Sequence, residues 1–251
     1  MSKTILPSTL QPFNFSTLQP YQDSYLGSYQ SPMNTVSKTS LIFQGLLLVL
    51  CLFLLPGCAL FEPEGSNLTN FHTVVLDAGH GGYDHGTVAV SGKEEKLLTL
   101  DLAERLKPLL EEKGYHVIMT RSNDTFIPLG ERTAIANAHP DAIFVSLHFN
   151  SSPNRSASGI ETYYYNRASQ RLASNIFREL LPVYKAHHRG VKHAVYYVLH
   201  HNRRPATLLE LGFISNRREN IILQNSTTRQ HLAEHIAQGI ATTSGTKGSP
   251  N

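Results

Sequence analysis

Beyond residue 58 the chain has no cysteine; Cys51 and Cys58 both lie in or beside one apolar stretch. The globular part therefore has no disulfide framework. If the stretch is helical, the two thiols stand roughly 10 Å apart along its axis, beyond the reach of a bridge. Charge is sparse too. Charged residues make up 16% of the chain, the formal net charge is +3, and there is no long Lys/Arg run. That pattern argues against a nucleic-acid partner, while a mild positive balance suits an anionic envelope polymer. No internal repeat is visible, so a solenoid or array is not expected.

Residues 1–32 are rich in Ser, Gln, Tyr and Pro and lack apolar periodicity. They have little with which to form a core and read as disordered or untranslated. Met33 is the expected start. Residues 33–58 read as an export signal: Lys38 as its positive region, Leu41 to Leu55 as its apolar region, then Leu55-Pro56-Gly57-Cys58. The tetrapeptide resembles the box at which a bacterial lipoprotein is cleaved and lipidated on its new N-terminal cysteine, although Pro56 is an imperfect fit. An uncleaved anchor or an ordinary signal peptide are the alternatives. The break at Pro56-Gly57 after about fifteen apolar residues favours the lipoprotein. All three put the domain outside the cytoplasm, and the expected location is the periplasm, tethered to a membrane through a lipid on Cys58.

After a linker over 59–70, residues 71–242 alternate short β-branched runs with longer amphipathic stretches, and 243–251 read as a disordered tail. About 180 residues can bury an adequate core. The alternation predicts one α/β domain with a mostly parallel, roughly six-stranded twisted sheet flanked by helices on both faces. Strands are expected at 73–77, 116–120, 142–147, 159–165, 191–199 and 206–210. Helices are expected at about 95–113, 130–138, 168–181, 217–223 and 228–241. Leu98, Leu102, Leu106 and Leu109 form the apolar stripe of the first helix, which should stop near Gly114. Asn216 with Glu219, and Thr227 with Gln230, have the spacing of capping boxes.

Four residues carry chemistry. His80 sits in Gly79-His80-Gly81-Gly82, a turn whose glycines let the backbone approach a bound group closely. His148 ends the apolar strand 142–147. His148 alone reads as an ordinary structural residue and the Gly-His-Gly-Gly turn has a structural alternative, but two such histidines at the carboxyl ends of separate strands lie where open α/β sheets bind ligands. Glu95 opens the first long helix, a position the helix dipole also explains. His80, Glu95 and His148 together form a His2Glu set that suits Zn2+ and leaves a fourth position open. Glu210 ends the strand 206–210 among leucines, where a carboxylate is costly without a partner.

The order of Leu-Asp-Ala-Gly-His-Gly-Gly (76–82), Glu95-Lys96, Thr120-Arg121, Glu-Arg-Thr-Ala-Ile-Ala-Asn (131–137), Ser-Leu-His-Phe-Asn (146–150) and Leu-Glu-Leu-Gly-Phe-Ile-Ser-Asn (209–216) resembles the amidase 3 family of zinc N-acetylmuramoyl-L-alanine amidases over about residues 72–241. The resemblance implies that His80, Glu95 and His148 bind zinc and that Glu210 is the catalytic acid/base. It also implies metal-assisted hydrolysis of the bond between N-acetylmuramic acid and L-alanine in peptidoglycan, during cell-wall remodelling, daughter-cell separation or recycling. Ala78 and Leu97 depart from the family pattern, and Glu94 competes with Glu95, with the following Lys96 favouring Glu95. A zinc carboxypeptidase acting on the stem peptide and a non-catalytic peptidoglycan-binding lipoprotein are the alternatives.

Other candidates are weaker. His187-His188 and His200-His201 lack a third ligand at useful spacing and read as surface or groove residues. His85 is a possible decoy ligand, and His193 a possible groove residue. Ser244-Gly245-Thr246-Lys247 matches a Ser-x-x-Lys nucleophile motif but lies in the expected tail, so it reads as chance. Division-associated members of the family that this chain resembles carry a plug helix inserted after the fourth strand. Here the interval from Tyr165 to Val191 has room for one amphipathic helix, so a monomer active without an activator protein is expected, with Glu179 the first residue to test as a hidden plug.

Overall fold

Successive residues of the central strands go to opposite sides of one sheet, and each side gathers its own core. In β1 (Thr73–Ala78), Val74, Leu76 and Ala78 enter the larger cluster and Val75 the smaller. In β3 (Ala142–Asn150), Ile143, Val145, Leu147 and Phe149 face the larger cluster while Ala142 and Phe144 face the smaller. Both strands read as nearly unbroken apolar runs because both faces are covered. The computed structural model describes residue 68 and residues 70–244 apart from residue 186. The expected export signal, Cys58 and the last seven residues lie outside the described residues.

Among the described residues the sheet has six strands in the order β2-β1-β3-β6-β4-β5, with β2 at His116–Met119, β4 at Ile160–Tyr164, β5 at His188–His193 and β6 at Ala206–Phe213. β2, β1, β3 and β6 are parallel; β4 and β5 form a parallel pair that meets β6 antiparallel. The mostly parallel α/β sheet expected from the sequence is thus present. One edge collects the carboxyl ends of β1, β3 and β6 and the amino ends of β4 and β5.

Helices α1 (Glu95–Glu112), α3 (Arg167–Leu180) and α6 (Ser226–Ser244) cover the larger face. Leu98, Leu102 and Leu106 are fully buried as their spacing predicts, but the stripe continues through Leu110, with Leu109 on its flank. Steps of four residues drift by about 40° around a helix. α1 ends before Gly114, whose φ of 86° turns the chain so that the Tyr115 amide reaches back to the Leu110 carbonyl. α6 lies so close to α3 that a Cβ on Gly239 would fall 2.5 Å from the Cα of Ile176. Among the described residues the smaller face is covered only by α2 (Leu129–Asn137) and α4 (Tyr197–His200), through Ala136, Val198 and Leu199.

Four local expectations are corrected. The strand expected at 191–199 instead starts at His188 and stops at His193, and Tyr197–His200 forms a helical turn. Its β-branched and aromatic residues favour a strand locally, but adjacent Val198 and Leu199 both bury against the smaller core, which a strand's alternation forbids. Asn216 does cap α5 (Arg217–Gln224), accepting from the Arg218 and Glu219 amides, whereas Glu219 turns away to accept from the Gly159 and Phe213 amides. α6 begins before Thr227, and Asn225 accepts the Thr227 amide in its place. The helix also outruns the expected boundary: Thr243 and Ser244 are buried in its last turn, Ser244 Oγ lying 2.6 Å from the Tyr115 hydroxyl.

Candidate active site

The turn after β1 is gripped by two arginines. Arg132 donates to Asp77 Oδ1 at 2.6 Å, to the Ala78 carbonyl at 2.9 Å and to the His80 carbonyl at 2.7 Å. Arg121 donates to the Ala78 and Gly79 carbonyls, both at 2.9 Å, and to the Lys96 carbonyl at 2.8 Å. Asp77 anchors the grip from below, also accepting from Thr120 and Ser146. Burial opposes its ionisation, but Arg132 and the Ser146 hydroxyl hold it below the usual carboxylate range. These contacts keep His80 at φ 63°, a left-handed conformation costing a non-glycine residue about 1–3 kcal/mol.

The strained turn, the start of α1 and the end of β3 converge. One nitrogen each from His80 and His148 and one carboxylate oxygen from Glu95 all lie within 4.8 Å of one another. Glu95 Oε1 is 3.2 Å from His80 Nε2 and 3.1 Å from His148 Nδ1. Its orientation is locked by the Phe149 amide on Oε1 and the Thr87 amide on Oε2. Asp84 fixes the His80 ring from the other side, 2.9 Å from Nδ1. Close approach is built into the backbone: a Cβ on Gly79 would lie 2.3 Å from the His148 ring, and one on Gly86 would lie 2.8 Å from Glu95 Oε2.

The electrostatics ask for a cation. Glu95 is buried, which opposes its ionisation, yet the two imidazoles hold it far below the ordinary carboxylate range. Burial likewise disfavours a charged His80, but Glu95 and Asp84 outweigh it and push the imidazole up to about 10. Two imidazole nitrogens and one carboxylate oxygen around a common point form a donor set that suits zinc and leaves a further position for water or substrate.

Glu210 stands beside this cluster, in register with His148 across β3 and β6 and with Glu161 across β6 and β4. The three make one row on the thinly covered face. Burial raises the Glu210 carboxyl well above its ordinary value, and the nearby Glu95 and Glu161 charges add to the shift. Its Oε2 is buried without a hydrogen-bond partner among the described residues.

The structure separates the competing acids. Glu94 points away from the cluster to His85 and Lys96, so both Glu94 and the decoy His85 stand apart from it. His187, His188, His200 and His201 are exposed. His193 packs against Tyr164 and Tyr165. Sequence reasoning gave no role to Glu161, Arg121 or Arg132. Glu161 lies within the strand Ile160–Tyr164, where a buried charge is itself a signal, whereas Arg121 follows β2 and Arg132 sits in α2, and no local pattern marks either.

The chain is similar to known proteins. A family model described as N-acetylmuramoyl-L-alanine amidase matches residues 74–242. The uncharacterized protein YqiI of Bacillus subtilis strain 168 is 40% identical over 196 residues, spanning 76% of this chain and 91% of that one. The N-acetylmuramoyl-L-alanine amidase AmiA of Escherichia coli K12 is 29% identical, spanning 71% of this chain and 78% of its own length. The catalytic domain of CwlV, an N-acetylmuramoyl-L-alanine amidase from Bacillus (Paenibacillus) polymyxa, superposes with a TM-score of 0.68 at 34% identity, covering 70% of this chain and 100% of that domain.

Proposed function

This chain belongs to the amidase 3 family of N-acetylmuramoyl-L-alanine amidases, and on that premise we propose that His80, Glu95 and His148 hold a zinc ion while Glu210 serves as the acid/base of the reaction. The enzyme hydrolyses the amide joining N-acetylmuramic acid to L-alanine in peptidoglycan. The observation that carries the assignment of roles is the convergence of two imidazoles and a buried carboxylate beside a second carboxylate that has a free, buried oxygen.

When bound, zinc would supply Lewis acidity, polarising the lactyl carbonyl and acidifying water. The protein does the rest. The Arg121 and Arg132 grip holds the His80 turn, Asp84 orients the His80 ring, and the Phe149 and Thr87 amides aim the Glu95 carboxylate. Glu210 Oε2, with no competing partner, accepts a proton from the attacking water and returns it to the alanine nitrogen as the amide breaks. Its raised affinity for protons, from burial and the nearby Glu95 and Glu161 charges, favours the uptake in the first half of that task. Neither step requires a covalent bond between substrate and protein.

Two further readings rest on sequence. The lipobox-like Leu55-Pro56-Gly57-Cys58 supports export and lipid attachment at Cys58. The described residues between β4 and β5 hold one helix, Arg167–Leu180, which supports activity without a separate activator.

The test is mass spectrometry of purified muropeptides after digestion by the zinc-loaded protein, with and without a chelator. Intact stem peptides carrying a free L-alanine amine are expected, and only without chelator. Release of single amino acids would replace the amidase by a carboxypeptidase.

A further inference from the structure

Glu161 is 3% exposed, and two cations crowd one of its oxygens. Asn150 Nδ2 and the Tyr163 hydroxyl donate to Oε1, at 2.6 and 2.9 Å. Arg189 Nε, at 2.9 Å, and Lys192 Nζ both donate to Oε2. One carboxylate is thus saturated by two neutral donors and two positive charges, and the trio carries an excess positive charge.

The backbone is shaped to deliver this. Along the β4–β5 ladder Ile160 pairs with His188 and Glu161 with Gly190, so the register skips Arg189. Such a bulge re-aims the extra side chain, and Gly190 adopts the φ of 92° that it requires. Arg189 consequently shares a partner with Lys192, three positions on, and its guanidinium stacks over Phe213 at 5.0 Å. Both cations keep about a third of their side-chain surface open, 33% for Arg189 and 39% for Lys192. Among the described residues only Nε of the Arg189 guanidinium is paired, with Glu161, so the two Nη donors of its planar fork remain unused on a side chain that is one-third exposed.

We propose that Arg189 and Lys192 form a subsite for a free carboxylate of the stem peptide, on the residue that follows the alanine. The inference rests on the amidase reading. A free carboxylate at that position would offer the two cations a charge-assisted acceptor, which an amide would not. Strand β5 lies two strands from β6, about 10 Å. Two extended residues span about 7 Å, and the long side chains of Arg189 and Lys192 reach across the remainder. Glu161 is then a positioning residue: it holds the two cations in place and leaves their outer donors to the substrate.

The experiment compares two synthetic N-acetylmuramoyl peptides that differ only in a free or amidated α-carboxyl on the second residue. Zinc-loaded wild-type protein should show a kcat/KM about tenfold higher for the free acid, mostly through KM, the size expected of a half-exposed charge-assisted contact. The Arg189→Gln/Lys192→Gln variant should lose the preference while Arg189→Lys keeps most of it. Equal use of both substrates by wild type, or a preference that survives the double substitution, would overturn the subsite. Cations that merely neutralise Glu161 would lower activity on both substrates alike, which counts against it too. If the double variant does not fold, product inhibition of wild type decides: the free-acid peptide should inhibit about tenfold more tightly than its amide, and equal inhibition refutes the proposal. Cleavage of neither substrate by zinc-loaded wild type would remove the amidase reading, and this subsite with it.

Discussion

His148 and Glu210 are directly opposite one another on β3 and β6. Residues in register on neighbouring strands point to the same face about 5 Å apart, so one residue of the His-Glu-His cluster and the carboxylate proposed to move protons share a rigid platform. A shift of either strand by one residue would bury one of them in the larger core.

Replacing His80 or His148 with alanine should abolish stoichiometric zinc, because a three-donor site loses its geometry with any one donor. Of the two neighbouring acids, only Glu95→Ala should lose metal; Glu94 binds His85 and Lys96 instead. Zinc content of the purified variants checks this, and normal zinc in both histidine variants would defeat the ligand assignment.

Glu210→Gln should retain zinc while turnover falls roughly a hundred- to ten-thousand-fold, the range for a positioned acid/base. Steady-state rates on muropeptides, with metal content measured alongside, report it. Near wild-type hydrolysis would mean that the proton shuttle lies elsewhere.

Gly79→Ala tests the close backbone approach. The new methyl would meet the His148 ring at 2.3 Å, far inside contact distance, and the ring must swing out. The variant should fold, because Gly79 has no left-handed φ to lose, but its zinc affinity should fall by tenfold or more in a chelator competition. Unchanged affinity would mean that the ring's position is not critical.

Acid stability should depend on Asp101, which joins α1 to α6 through Arg229 and also binds Arg105. Burial opposes its ionisation, yet the two arginines hold its pKa at about 2, below the ordinary 3.8. A depressed carboxylate stabilises the fold above its unfolded-state value and loses that contribution as pH falls through the folded-state value. Asp101→Asn should therefore melt lower than wild type at pH 7, and the gap should close between about pH 4 and pH 2. Melting curves across that window would refute the link if the gap stayed constant.

If Cys58 is lipidated, the mature protein begins there, sediments with membranes, and becomes soluble on Cys58→Ser. N-terminal sequencing that finds residues 1–32 in the mature chain would rule out both the Met33 start and the cleavage site.

Much of this was legible in the chain. The β-branched runs and the period-3.6 patterns delimit five of the six strands and five of the helices, since burial on one face or two imposes its spacing on any sequence. His80, Glu95, His148 and Glu210 stand out because strand ends and helix starts are visible locally. Side-chain partners across the fold are not. The choice of Glu95 over Glu94 rests in the sequence on one following lysine, whereas in the structure the first turn of α1 points one acid inward and leaves the other with His85. Glu219 shows the same limit: its spacing suits a capping box, but backbone amides 60 and 6 residues away offer it a buried site instead.

The sequence by itself determined the α/β alternation, the glycine turn that lets His80 crowd against Glu95 and His148, and the chemical identity of the cluster, because these depend on residue type and local period. Only the tertiary structure decided the order β2-β1-β3-β6-β4-β5, and with it the neighbours of Glu210. Reversing β4 and β5 against β6 brings Glu161, Arg189 and Lys192 to the site edge. Pairing between strands far apart in sequence is set by the joint burial of both sheet faces, a property of the whole core that no local segment encodes.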